Sequence, residues 1–441
     1  MGGASMDFFE HIQQNTSAGA LYEGCIKNSG VRLDQHVRLI AYYLPQFHAI
    51  PENDRWWGKG FTEWTNVTKA IPRFVGHYQP RLPGELGFYD LTNVDILRRQ
   101  AELAKSCGIY GFCFHYYWFG GARLLERPLD LFLENQDLDI PFCINWANEN
   151  WTRRWDGLEQ QVLKEQHYSP KDDLEFAKSL EPLFRDRRYI KINGRPLLML
   201  YKPLLLPDAR TTVMRWRSHF VEKGLGNPYI IMPQMQGDED PRLYGMDAAA
   251  GFPPHLSGFN ELPTDVESLD LLDPNYRGRV VEYDRMIENA LSIRPTEYRY
   301  FPGVCPSWDN EARRPGAGQC FAGSTPEKYG QWLASACEYV LEAETPDERI
   351  VFVNAWNEWA EGAYLEPDRH YGYAYLAETA RVMRRLKPST KTRPSKIMPA
   401  EIFVARSREG RLGPVRWKKF LKRGINRFAD RLENLARSLR V

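Results

Sequence analysis

With 441 residues, 43% of them hydrophobic and 26% charged, the chain has the composition of a folded globular protein, which excludes disordered, collagen-like and coiled-coil chains. No stretch approaches 18 consecutive apolar residues, and the first 21 lack the basic start and apolar run of a secretory signal, so neither a spanning helix nor export is expected. The net charge of +1 conceals a split: residues 401–441 carry twelve Arg or Lys against four Asp or Glu, leaving the first 400 residues at −7.

Residues 1–36 show no strong period and read as an N-terminal lead-in. From Arg38 onward, short apolar runs recur at 39–44, 109–114, 140–146, 196–201, 229–232, 246–251, 300–304 and 350–355. Each is bounded by Gly, Pro or Asn, as strands buried on both faces are. Amphipathic helices are expected at 94–107, stopped by Gly108, at 211–223, stopped by Gly224, and at 326–341, capped by Ser324 or Thr325. Alternating strands and helices imply a parallel sheet, and eight strands imply closure into a (β/α)8 TIM-type barrel over 37–386. The segment 237–245 is too short for a full helix. An open doubly wound sheet is the alternative, but no G-x-G-x-x-G follows any strand.

Residues 387–400, rich in Pro, Ser, Thr and Lys, read as a linker. Beyond it, Trp417, Leu421, Ile425, Phe428, Leu432, Leu435 and Leu439 fall on one helix face with Lys and Arg opposite, a basic amphipathic tail over 401–441. The seven cysteines are scattered, with no C-x-x-C pair, which suits reduced thiols in a cytoplasm.

In a parallel barrel the reactive side chains stand at the C-terminal ends of the strands and in the loops that follow. Those exits hold Tyr42, Tyr43, Gln46 and His48, then Trp57, Glu63 and Trp64 in a long loop. The second exit holds His115, Tyr116, Tyr117 and Trp118, and the third Asn145, Trp146, Asn148, Glu149 and Asn150. Trp308 and Asp309 follow the seventh strand, and Trp356, Asn357, Glu358 and Glu361 the eighth. Ten of the 13 tryptophans lie in these exits. Aromatic faces interleaved with amides and carboxylates suit a carbohydrate cleft; the plainer alternative is that they close the barrel top.

Cleaving a glycosidic bond needs one carboxyl group to serve the leaving oxygen and a second to assist on the opposite side. Glu358 and Glu361, on one loop, can both face the barrel axis, and the flanking Trp356 and Trp359 would desolvate one of them and raise its pKa. The alternative is a pair of surface carboxylates at a helix start. His48 and His115 could meet Glu149 or Asp309 around a metal, but no H-E-x-x-H or close His/Cys cluster exists, so no metal and no cofactor are expected. Asp238-Glu239-Asp240 has the D-x-D form of nucleotide-sugar transferases but sits in a Gly/Pro turn. No G-x-S-x-G occurs.

Four stretches carry a resemblance: Ala41-Tyr42-Tyr43-Leu44-Pro45-Gln46-Phe47-His48, Trp56-Trp57-Gly58-Lys59-Gly60-Phe61-Thr62-Glu63-Trp64, Asn145-Trp146-Ala147-Asn148-Glu149-Asn150-Trp151 and Trp356-Asn357-Glu358-Trp359-Ala360-Glu361-Gly362. Together they resemble the WbsX family, bacterial proteins associated with lipopolysaccharide O-antigen and other surface polysaccharides and related to glycoside hydrolase family 99. The likeness spans roughly 37–386 and leaves out the lead-in and the tail. It implies a (β/α)8 barrel acting on α-mannosides with retention. It also implies roles: Glu358 as the base on the sugar's own 2-hydroxyl, giving a 1,2-anhydro intermediate, and Glu361 as the acid and then the base for water. Family 99 hydrolases usually have histidine where this chain has Ala360. WbsX proteins are often labelled glycosyltransferases, although the sequence shows no clear nucleotide-sugar site.

The expectation is a cytoplasmic carbohydrate-active enzyme of surface polysaccharide biosynthesis, working on a glycan or lipid-linked oligosaccharide. A glycosyltransferase using the same pocket and a non-catalytic glycan-binding module are the rivals. Residues 415–441 are expected either to lie peripherally on an anionic inner leaflet, each basic residue contributing about 1 kcal/mol, or to pack on the barrel or a partner. Nucleic acid is not an expected partner, because nothing else in the chain is basic.

Overall fold

The computed structural model describes residues 8–25, 36–153, 158–235, 238–255 and 269–386. The expected linker and basic tail, and Trp155, lie outside the described residues.

Eight strand positions form one parallel ring. They are β1 (Arg38–Tyr43), β2 (Ile109–Phe119), β3 (Phe142–Trp146), β4 (Arg195–Leu200), β5 (Tyr229–Pro233), β6 (Ala248–Ala250), β7 (Arg299–Phe301 with Gly303–Val304) and β8 (Ile350–Val353). Each pairs in parallel with its neighbours in chain order, and β1 pairs with both β2 and β8. Pro302 splits β7. Its first half bonds β6 and its second half bonds β8, so the split strand closes the ring. The carbonyls show the handover: Phe301 O accepts from Gly251 N at 2.8 Å, and Pro302 O accepts from Phe352 N at 3.0 Å. Proline lacks an N–H, which suits it to the point where a strand changes partner. A methyl group on Gly303 would stand 2.1 Å from Gly251 O, so this seam needs glycine.

All eight expected runs are strands. β2 continues past Phe114 to Phe119, where Gly120 and Gly121, both with positive φ, turn it into a hairpin with Ala122–Leu124. The crossovers are helices Val94–Ser106, Arg127–Glu134, Pro170–Arg185, Ala209–Glu222, Tyr283–Ser292 and Pro326–Leu341, and Ala374–Arg385 follows β8. Among the described residues between β5 and β6, the helical element is a 3-10 turn, Pro241–Tyr244. The helix expected at 211 begins two residues earlier because Asp208 caps it, accepting from Thr211 N at 2.9 Å. Ahead of the barrel, helix Phe8–Asn15 packs on the 76–79 loop: Asn15 Nδ2 donates to His77 O at 3.0 Å and Gln79 O at 2.8 Å. Among the described residues no helix is long and apolar enough to cross a membrane.

Candidate active site

Side chains alternate along a strand, and this parity decides what reaches the barrel interior. Tyr42 of β1 points inward, its ring stacked on Phe352 of β8 at 5.5 Å, while its hydroxyl donates across the barrel to Met199 Sδ of β4 at 3.5 Å. His115 and Tyr117 of β2 share one face, and with Tyr201 and Asn354, just beyond β4 and β8, they line a cavity of about 1160 Å³ at the C-terminal end of the ring. That exceeds the roughly 300–1,000 Å³ of ordinary small-molecule pockets.

Residues of the opposite parity serve the outer shell. Tyr43 donates to Gln100 Oε1 at 2.7 Å, Tyr116 to Ser179 Oγ at 3.0 Å and Trp118 to Asp172 Oδ1 at 2.9 Å, each on a covering helix. Trp146 stacks on Phe176 of the Pro170–Arg185 helix at 4.4 Å. None of these four lines the cavity.

Several other expected contacts hold loops instead. Asn148 clasps the backbone of Lys202, donating to its carbonyl and accepting from its amide, both at 2.8 Å. Asn357 does the same for Leu44. Trp64 packs between Phe47 and Trp359 and donates to Tyr89 O, and Trp356 is buried against Phe112. His48 is buried, and burial lowers its pKa, so it is neutral. Buried Asp309 accepts from His77 Nε2 and Gln79 Nε2, each at 2.8 Å, while its own amide donates to Glu361 O. Tyr42 and Asn145 lie in the interior beneath the cavity.

The expected residues that do line the cavity are Gln46, Trp57, His115, Tyr117, Glu149, Asn150, Trp308, Glu358 and Glu361. Of the nine exit tryptophans among the described residues, Trp57, Trp151 and Trp308 reach it. Gln46 Nε2 donates to the Tyr117 hydroxyl at 2.9 Å, and Trp151 stands edge-on to Tyr117 and Phe119. Across the cavity, Glu149 pairs with Lys202, and Gln234 donates to Tyr298 at 2.7 Å. The D-x-D stretch does not gather its carboxylates: Asp240 caps the 3-10 turn and pairs with Arg242, Asp238 accepts from Tyr244, and Glu239 alone faces the cavity. Among the described residues no cluster of His, Cys, Asp and Glu is arranged to hold a metal ion.

The cavity floor is built around Arg313, from the loop after β7, which sequence motifs did not single out. Its Nε donates to Glu63 Oε1 at 3.0 Å, its Nη2 to Glu358 Oε2 at 3.2 Å and its Nη1 to Glu361 Oε1. Residues 359–361 form a 3-10 turn ended by left-handed Gly362, and this turn brings the two glutamates to one guanidinium. Glu63 lies beneath, wholly buried. The Glu358 side chain is 9% exposed and that of Glu361 28%. Burial, then the Glu361 carboxylate, pushes Glu358 up to about 8, against the pull of Arg313. His115 Nε2 stands 3.7 Å from Glu358 Oε1; burial and then Arg313 lower its pKa to about 4, so it is neutral. Trp308 Nε1 donates to Glu361 Oε2 at 3.4 Å.

The family model described as Glycosyltransferase WbsX matches residues 39–379. The chain belongs to the WbsX family. The WxcX proteins of two strains of Xanthomonas campestris pv. campestris are each 45% identical over 348 residues, covering 79% of this chain and 50% of theirs. The chain thus spans about half the length of those relatives. Among solved structures, a "Glycoside hydrolase-like protein" aligns with TM-score 0.51 and 14% identity over 83% of this chain and 98% of its own, a likeness of fold. The GH99 endo-alpha-mannosidase from Bacteroides thetaiotaomicron aligns with TM-score 0.49 and 15% identity, over 79% of this chain and 97% of its own.

Proposed function

We propose that this WbsX-family chain is a carbohydrate-active enzyme that cleaves or transfers an α-glycosidic, mannoside-like linkage of a surface polysaccharide with retention. The observation that carries the reading is the convergence of Glu358 and Glu361 on Arg313 at the floor of a cavity walled by Trp57, Trp151 and Trp308. Retaining chemistry needs one carboxyl that bears a proton for the leaving oxygen and one ionised carboxylate that assists attack, directly or through the sugar's own 2-hydroxyl. A buried pair with unequal exposure supplies that asymmetry. The indoles offer apolar faces to sugar C–H edges. Gln46, Asn150 and Asn354 offer amides to hydroxyl groups.

The substrate we propose is a polysaccharide or lipid-linked oligosaccharide of a bacterial surface, met at the cytoplasmic side of the membrane. The test is incubation of the purified chain with the host's lipid-linked polysaccharide and mass analysis of the products. Glu358→Gln and Glu361→Gln should each abolish turnover while sparing glycan binding. Full activity in either variant removes that residue from the mechanism. Binding without product in the unaltered protein would make the barrel a glycan-binding platform.

Transfer to a sugar acceptor is the second form of the reading, favoured by the family's own description and by a cavity large enough for donor and acceptor together. Tight, cation-dependent binding of a nucleotide sugar in calorimetry would turn it toward a nucleotide-dependent transferase. Product mass shifts with added acceptor glycan would mark transglycosylation.

A further inference from the structure

We infer that Arg313, anchored by Glu63, is the positioning residue of the glutamate pair, holding Glu358 and Glu361 at one fixed geometry. The inference rests on the reading of Glu358 and Glu361 as the working pair and assigns them a third partner that no motif marks.

Three loops meet at this guanidinium. Glu63 comes from the β1 exit, Arg313 from the β7 exit, and the pair from the β8 exit. Glu63 is fixed on its own account: it opens the short helix Glu63–Val67, has no exposure, and its Oε1 also accepts from Asn66 Nδ2 at 3.2 Å. With the Nε edge fixed on Glu63, the planar fork leaves its two Nη groups aimed at Glu358 and Glu361. Only a guanidinium can meet three carboxylates in fixed directions; an ammonium is a point charge on a flexible stem. If Arg313 served packing alone, the bond to Glu63 would satisfy its charge, yet it reaches both members of the pair.

The charge count sets the consequence. Three carboxylates around one guanidinium leave two uncompensated negative charges when all are ionised, in a floor largely closed to water. A proton on one carboxyl relieves this. Glu361 is the more exposed and receives two donors, Arg313 Nη1 and Trp308 Nε1. Glu358 is the more buried, with Arg313 at 3.2 Å and neutral His115 at 3.7 Å. The groups facing Glu358 are Arg313, Glu361, Glu63, His115 and the Tyr117 hydroxyl. Of these, Arg313 alone brings positive charge at neutral pH. Arg313 therefore sets how far the charge of Glu358 is offset as well as where both carboxyl groups stand.

The test is carboxyl NMR titration of the full chain labelled with [δ-13C]glutamate, with Glu358→Gln and Glu361→Gln assigning the two signals. In Arg313→Gln the signal lost in Glu358→Gln should move to higher pH by about one unit or more, as expected on losing a cation within bonding distance. Arg313→Lys should restore the position only in part. The pH profile of turnover on the host's lipid-linked polysaccharide should move to higher pH as a whole, with kcat falling about 100-fold and KM little changed. Titration curves in Arg313→Gln superimposable on the parent's would overturn the inference. If Arg313→Gln does not fold, Arg313→Lys decides, because it keeps the charge and loses the fork; curves and kcat like the parent's overturn the inference. If the unaltered protein makes no product from any glycan, the proposed function fails while the titrations still decide the role of Arg313.

Discussion

Asn357 grips Leu44 at both backbone groups: Leu44 N donates to Asn357 Oδ1 at 2.7 Å, and Asn357 Nδ2 donates to Leu44 O at 3.0 Å. This clasp ties the exit of β8 to the exit of β1 one residue before Glu358. Asn357→Ala would leave both groups buried and unpaired, at a cost of about 2–4 kcal/mol in urea unfolding. Turnover should fall as well, because Glu358 loses its support. Asn357→Asp keeps the acceptor, loses the donor and adds a buried charge, so it should restore little of the stability.

The tryptophans should divide into two classes. Trp146→Ala, at the Phe176 stack, should cost about 3–5 kcal/mol of stability. Trp57→Ala and Trp151→Ala, half-buried in the cavity wall, should weaken glycan binding by tenfold or more with a smaller loss of stability. Thermal unfolding alongside glycan calorimetry checks both. Equal stability losses in all three would contradict the sorting by strand parity.

Stability should depend on pH through Glu358. Its pKa is raised in the folded protein, so the native state binds this proton more tightly than the unfolded chain does. The contribution is present in full below the unfolded pKa, near 4.3, and is lost as pH rises through the folded value of about 8. Glu358→Gln cannot lose that proton. The unfolding midpoint of Glu358→Gln relative to the parent should therefore climb from pH 5 to pH 8.5. A constant difference would mean that Glu358 is ionised throughout.

At the barrel seam, Gly303→Ala places a methyl against the Gly251 carbonyl, backbone that cannot swing aside. A loss of about 3 kcal/mol, or failure to accumulate folded protein, is expected. Alanine at Gly76, where nothing crowds the added carbon and only the positive φ is strained, should cost less.

The barrel was legible because every strand is buried on both faces and so leaves an unbroken apolar run between punctuating residues, from 39–44 to 350–355. The aromatic exits were legible too, but as one undivided set. Counting tryptophans joined Trp118 and Trp146, which pack under a helix, with Trp57 and Trp308, which face the cavity. Alternation along β2 could have separated Tyr116 and Trp118 from His115 and Tyr117. It could equally have pointed to Tyr201 and Asn354. Arg313 left no local signal, since its meaning lies in three loops distant in sequence meeting at one side chain. The capping of Asp240 into a turn likewise dissolves the D-x-D pattern only once its bonds are seen.

The alternation along β2 also bears on how this protein can diversify. Replacements at His115 and Tyr117 change the lining of the cavity while Tyr116 and Trp118 keep their helix contacts, so cavity lining and scaffold are adjustable separately within four consecutive positions. One inserted or deleted residue there would exchange the two sets together, turning indole toward solvent and imidazole into the shell. This stretch is open to drift in letter and closed to drift in length.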